Sequence, residues 1–167
     1  VRENHVYSVV LPYDASLETI QSFSPLGIIL SGGPASVLDA DAPKCDPAVF
    51  ARGVPVLGIC YGMQLMASLL GGSVCQAQHR EYGQVTVIFP DRQNIMAHVS
   101  DASSCWMSHT YMVKTCPDGF HPIAHSANCP VCAMANESRH LYGVQFHPEV
   151  THTQEGKTIL KNFLMDI

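Results

Sequence analysis

Two short stretches carry side chains that could do covalent chemistry together. The first is Val54-Pro55-Val56-Leu57-Gly58-Ile59-Cys60-Tyr61-Gly62-Met63-Gln64-Leu65-Met66-Ala67, an apolar β-type run that passes into helical spacing with a cysteine at the junction. Glycines two residues before and two after Cys60 permit a strand-to-helix turn too tight for a Cβ at either place, which holds one side chain clear of the backbone. The partial positive charge of a helix N-terminus favours thiolate over thiol, so Cys60 reads as a nucleophile. The second stretch is Tyr142-Gly143-Val144-Gln145-Phe146-His147-Pro148-Glu149. Residues two apart in extended chain point to one side, so Glu149 can fix the tautomer of His147 and support its imidazolium. Pro148 biases His147 away from helical backbone. Nucleophile, base and orienting carboxylate together make acyl transfer the chemistry on offer.

Such a reaction also needs donors for a developing oxyanion. The N–H of Tyr61, next after the cysteine, is one, and a neighbouring loop must bring the second. Ser31-Gly32-Gly33-Pro34 follows the apolar strand Gly27-Ile28-Ile29-Leu30, so its amides should reach the same sheet edge as Cys60. No Gly-Lys-Ser/Thr follows, which excludes a phosphate loop. Cys129-Pro130-Val131-Cys132 has metal-like spacing but no second pair, and no metal is expected there. Cys75, Cys105 and Cys116 read as core or surface thiols, and His121, His125 and His140 as strand or loop residues.

The elements that must position these groups alternate at first. Val6 to Leu11 reads as a strand, then a short helix capped by Asp14 or Ser16 runs to about Phe23. The strand at 27–30, a helix over Pro47 to Arg52, the elbow strand and its helix to about Leu70 follow, closed by Gly71-Gly72. Beyond that, strands are expected at 84–89, 104–107, 120–126, 131–136 and 140–146, the last three as a meander. A final helix from Gln154 to Met165 carries Ile159, Leu160, Phe163 and Leu164 on one face. The pattern predicts a three-layer α/β/α, flavodoxin-like domain over 1–167, with a mixed, mostly parallel central sheet and a small antiparallel insertion.

Composition narrows the class. The chain has 167 residues, 47% hydrophobic and only 14% charged, which suits one globular domain with a sizeable core. A net charge of −5 without any Lys/Arg cluster argues against nucleic acid, and no apolar run approaches a membrane span. Seven cysteines, an odd number without framework spacing, fit reduced thiols in a cytoplasmic enzyme. The chain opens without Met in polar, helix-like text, so further residues are expected before Val1.

The Gly-Ile-Cys-Tyr-Gly-Met-Gln run, the Ser-Gly-Gly-Pro loop and Gly-Val-Gln-Phe-His-Pro-Glu, in this order, resemble the class I (triad) glutamine amidotransferases across nearly the whole chain. Arg80-Glu81-Tyr82-Gly83, Trp106-Met107-Ser108-His109 and Val150-Thr151-His152-Thr153 resemble the branch that serves GMP synthesis. The resemblance implies Cys60 as nucleophile, His147 as acid/base and Glu149 as its orienting carboxylate. It implies oxyanion amides at Gly33 and Tyr61, a glutamine contact at Gln64 and a glutamine-pocket segment from Ser108 to Tyr111. The implied function is hydrolysis of glutamine to glutamate and ammonia through a cysteinyl thioester, the ammonia aminating XMP to GMP. The implied partner is an ATP-pyrophosphatase synthetase domain or subunit, where ATP and Mg would bind; this domain needs no cofactor. Two departures stand out. The family's first strand and most of its first helix are expected to precede Val1. Its Met-Ser-His-Gly-Asp segment reads Met107-Ser108-His109-Thr110-Tyr111 here. The alternatives are the amidotransferase domain of another synthetase, a γ-glutamyl peptidase with the same triad, and a non-catalytic interaction module of the same fold. Because only Cys60 has the elbow context, a glutamine-mimicking electrophile should label it and spare the other six cysteines. Peptide mapping that placed the label on Cys129 or Cys132 would overturn the elbow assignment.

Overall fold

Val56-Leu57-Gly58-Ile59 is buried at every position because both faces of this strand are covered. Leu57 and Ile59 enter one apolar cluster with Val144, Phe146, Ile159 and Phe163, while Val56 enters a second with Met63, Met66, Met134 and Leu141. Alternate side chains of a strand point to opposite faces, so a run with no polar position needs a layer on each side. The computed structural model, which describes residues 1–167, supplies both layers. The strand, β2 (Val56–Ile59), lies between parallel neighbours β1 (Ile28–Leu30) and β7 (Leu141–Val144), with Leu30 opposite Gly58 and Val144 opposite Ile59. Antiparallel β6 (Ala133–Asn136) and β5 (His121–Ala124) extend it, giving the order β1-β2-β7-β6-β5. Helix α2 (Tyr61–Leu69) covers one face through Met63, Met66 and Ala67; α3 (Gly156–Met165) covers the other through Ile159 and Phe163. This is the layered α/β architecture expected from the pattern. No helix is long and apolar enough to cross a membrane.

The meander at 120–146 forms, but as part of the main sheet. The antiparallel insertion is a separate two-stranded ribbon, β3 (Ser73–Ile88) with β4 (Ala102–Thr115), far longer than the expected 84–89 and 104–107. Its register shifts between Gln76 and Glu81, so Gln78-His79-Arg80 breaks the two-residue alternation that would have announced a strand. The short helix α1 (Leu17–Ser22) is capped by Ser16, whose Oγ accepts the Thr19 N–H at 3.1 Å. Pro47–Ala51 is a 3-10 turn capped by Asp46, in place of the expected helix. Helix α3 starts two residues later than expected, because the Gln154 N–H is held by the Ser104 carbonyl at 3.0 Å.

The strand expected over Val6 to Leu11 is not formed. Strand β1 pairs only with β2, and none of residues 6–11 makes a backbone hydrogen bond, so this apolar text runs over the surface as irregular chain. Tyr7, Val10 and Leu26 are 86%, 91% and 93% exposed. Apolar surface beside an open sheet edge drives self-association. Val10→Lys with Leu26→Lys should therefore raise the concentration at which light scattering appears while leaving the melting temperature unchanged. Equal scattering in the double variant would contradict this.

Candidate active site

Cys60 joins β2 to α2 with φ 51° and ψ −106°, a left-handed backbone that a non-glycine residue keeps only when its surroundings over-determine it. A Cβ on Gly58 would lie 2.6 Å from the Met63 nitrogen, and one on Gly62 would collide with the Leu30 carbonyl. These contacts account for both glycines. The Cys60 N–H donates to the Val144 carbonyl at 2.7 Å, so the cysteine is pinned to the end of β7 as well as β2. Its thiol meets the Ser108 carbonyl at 3.7 Å and the Gln145 side-chain amide at 3.6 Å.

His147 lies past the end of β7 in irregular backbone, held there by β4. Its N–H donates to the Trp106 carbonyl at 3.0 Å, and its carbonyl accepts the Thr153 hydroxyl at 2.6 Å. The same Thr153 oxygen accepts the Trp106 N–H at 3.0 Å, and the His152 ring packs against the indole at a 40° tilt with centroids 4.7 Å apart. Two motifs singled out in the sequence thus prove to be a clamp on the histidine. The Glu149 Oε1 lies 2.7 Å from His147 Nδ1, which leaves Nε2 for the sulfur side. The imidazole is pushed up to about 10, first by the Cys60 sulfur it faces and then by the Glu149 hydrogen bond, with burial acting the other way. For Glu149 burial is the largest single influence and opposes the charge, but the His147 hydrogen bond, a backbone N–H and the charge on the imidazole together outweigh it, and the carboxyl sits below its ordinary range. A charged imidazole facing the Cys60 sulfur is the state these contacts favour for His147.

Gly33, Tyr61, Gln64 and Ser108 line one cleft of about 440 Å³ with Cys60. The loop lies against both reacting residues: a Cβ on Gly32 would lie 3.1 Å from His147 Cε1 and 3.6 Å from Cys60 Cβ. Tyr61 opens α2, so its N–H has no intrahelical acceptor, and the Gly33 N–H donates to no protein group. Both amides are therefore available at the cleft. Gln64 Nε2 donates to the Tyr111 carbonyl at 2.7 Å and to Gln145 Oε1 at 3.0 Å. Thr110 pairs with the Tyr82 hydroxyl at 2.7 Å, so the departure at 110–111 forms one edge of the cleft that Cys60 lines.

A second polar group lies behind that edge, and sequence reasoning missed it. Buried Glu81 accepts the Ser126 hydroxyl at 2.8 Å and faces His109 Nε2 at 3.1 Å. Burial lowers the His109 pKa and the Glu81 hydrogen bond only partly offsets it, so this ring is neutral. Cys129 brings a third potential ligand atom to within 4.8 Å of Glu81 and His109, but both carboxylate oxygens already have hydrogen-bond partners. Asp91, His121 and Glu137 form a looser, solvent-facing set. Gln145 and Thr153 were also missed as functional residues. The one signal for Gln145 was an amide in an otherwise apolar strand text.

The glutamine amidotransferase class-I family model matches residues 1–167. The chain is 59% identical over 167 residues to the GMP synthase [glutamine-hydrolyzing] of Ruminiclostridium cellulolyticum and 54% identical to that of Acetivibrio thermocellus. All of this chain is matched, and it spans 33% of each of those relatives' length. Among solved structures, a putative GMP synthase subunit from Thermoplasma acidophilum superposes with a TM-score of 0.78 at 31% identity, covering 92% of this chain and 77% of that one. A glutamine amidotransferase from Thermotoga maritima, at 19% identity and a TM-score of 0.74 over 91% of this chain and 80% of that one, shares the fold. A complete family match, joined to an elbow cysteine facing a histidine–carboxylate pair, makes this chain a member of the class-I glutamine amidotransferases.

Proposed function

We propose that the chain is a cytoplasmic glutaminase whose ammonia aminates XMP to GMP on an ATP- and Mg-dependent synthetase domain. The observation that carries the glutaminase reading is Cys60, in a strained elbow, facing His147 with Glu149 behind it and two free amides alongside. The GMP reading draws on the relatives' names and on the chain matching one third of their length. Seven unpaired thiols suit a reducing compartment.

The Cys60 thiolate attacks the side-chain carbonyl carbon of glutamine, and the Tyr61 and Gly33 N–H groups receive the oxyanion. The His147 imidazolium gives its proton to the amide nitrogen, the C–N bond breaks and ammonia leaves, with a γ-glutamyl thioester remaining on sulfur. Neutral His147 then takes a proton from water. The hydroxide adds to the thioester, the C–S bond breaks, and glutamate departs from a restored thiolate–imidazolium pair. Glu149 holds Nδ1 throughout and stabilises the charged ring. Gln64, with both Nε2 hydrogens committed inside the protein, would offer its Oε1 to the substrate's ammonium group.

Ammonia release from glutamine tests this directly. Cys60→Ala and His147→Ala should each lose roughly four to six orders of magnitude, and Glu149→Gln somewhat less. A folded wild-type chain that releases no ammonia would favour the interaction module instead. The pH profile gives a second test. A carboxylate beside an imidazole favours the charged ring, so Glu149→Gln lowers the His147 pKa from its raised value and activity should fall away at lower alkaline pH. A shift of about one to two units is expected. An unmoved alkaline limb would mean that His147 is not the titrating group.

A further inference from the structure

Gln145 is fully buried, and none of the steps above draws on it. Its side chain is the last link of an amide chain that ends on the nucleophile. Gln64 Nε2 donates to the Tyr111 carbonyl and to Gln145 Oε1, and Gln145 Nε2 lies 3.6 Å from Cys60 Sγ. The sense of this chain is set at its far end. A backbone carbonyl can only accept, so the half of Gln64 that faces Tyr111 must be its NH2. Both of those hydrogens are then committed, one to Tyr111 and one to Gln145, so the half of Gln145 that meets them must be its oxygen. The NH2 of Gln145 is therefore the half turned to sulfur. The opposite orientation would set NH2 against NH2 in a buried site.

We propose that Gln145 is a catalytic hydrogen-bond donor to the Cys60 sulfur, favouring the thiolate and fixing its direction, with Gln64 and the Tyr111 carbonyl as its support. The proposal rests on the reading of Cys60 as the nucleophile. A donor stabilises a charged acceptor more than a neutral one, so this contact strengthens when the thiol ionises. The Ser108 carbonyl changes in the opposite sense: it accepts the thiol proton but has nothing to offer a thiolate. The other titratable groups that face this cleft are His147, with Glu149 behind it, neutral His109 and Tyr111 on β4, Tyr82 on β3, and Asp39. The Tyr61 hydroxyl on α2 is turned away to the Pro43 carbonyl.

The test is the pH dependence of Cys60 alkylation by iodoacetamide in the full chain, with peptide mapping so that only Cys60 is counted. Gln145→Met keeps length and burial but removes the donor. It should raise the pH midpoint by about one unit and slow alkylation about tenfold below it. Gln64→Met unties the support without touching the sulfur and should shift the midpoint the same way by less. In glutamine turnover, Gln145→Met should lower kcat more than it changes KM. A Gln145→Met chain that melts cooperatively and keeps the wild-type midpoint overturns the proposal; if that variant does not fold, an unmoved midpoint in Gln64→Met does so. Alkylation needs no glutamine, so the two readings fail separately. A wild-type chain without ammonia release would sink the glutaminase reading, and an unshifted midpoint would sink this one.

Discussion

The backbone of Cys60 is the constraint on which the rest of the site depends. A non-glycine residue at φ 51° and ψ −106° is strained by something on the order of 1–3 kcal/mol, and no local preference of a cysteine would hold it there. Tertiary structure does. The Cys60 N–H is taken by Val144 at the end of β7, its carbonyl accepts the Gln64 N–H at 3.1 Å, and Gly62 is pressed against the Leu30 carbonyl at the end of β1. Three parallel strands thus fix one residue. Because parallel strands end at one edge of a sheet, the segments that leave β1 and β7 there are the ones that can reach it. Those segments carry Ser31-Gly32-Gly33-Pro34 and His147-Pro148-Glu149. The strain at the elbow and the convergence of the site have one cause.

The ribbon β3–β4 adds a second tier of support from outside the sheet. Trp106 is the anchor: its carbonyl holds the His147 N–H, its own N–H is held by Thr153, and its indole carries the His152 ring. His109, three residues along β4, is fixed by Glu81 from β3. The three motifs that distinguish this chain from a bare triad are therefore mutual contacts. Glu81 meets His109, and Trp106 meets His152 and Thr153. A substitution in one of them would be felt through its partner, which gives these spacings a physical reason to occur together.

Much of this was legible in the sequence. The elbow, the His-Pro-Glu pairing and the Gly-rich loop could be read because each is a local pattern whose chemistry depends on neighbours one to four residues away. The layered fold followed from the apolar strands at 27–30 and 54–59. Long-range pairing was not legible. Val6 to Leu11 has strand-like text yet finds no partner, and Gln78 to Arg80 lies in a strand whose alternation a register shift conceals. The contacts that Gln145 and Glu81 make escaped notice for a related reason, although both residues lie in motifs the sequence shows. A buried polar residue announces its role only through the partner across the core, and that partner lies 85 positions away for Gln145 and Cys60 and 45 away for Glu81 and Ser126.

Two histidine–carboxylate pairs stand near one another, and their difference shows how one arrangement serves two ends. His147 lies 2.7 Å from Glu149, and His109 lies 3.1 Å from Glu81, so geometry alone would treat them alike. Burial separates them. The side chains of His109 and Glu81 are only 2% and 3% exposed, where the cost of charging the ring exceeds the attraction of the carboxylate. His147 is less deeply buried, keeps water access through Glu149, and gains the Cys60 sulfur as a second partner for its proton. Charge on His147 also disfavours charge on His109. One ring is thereby held protonated beside the nucleophile while the other stays neutral and structural, so the site has a single proton to move and one place for it to reside.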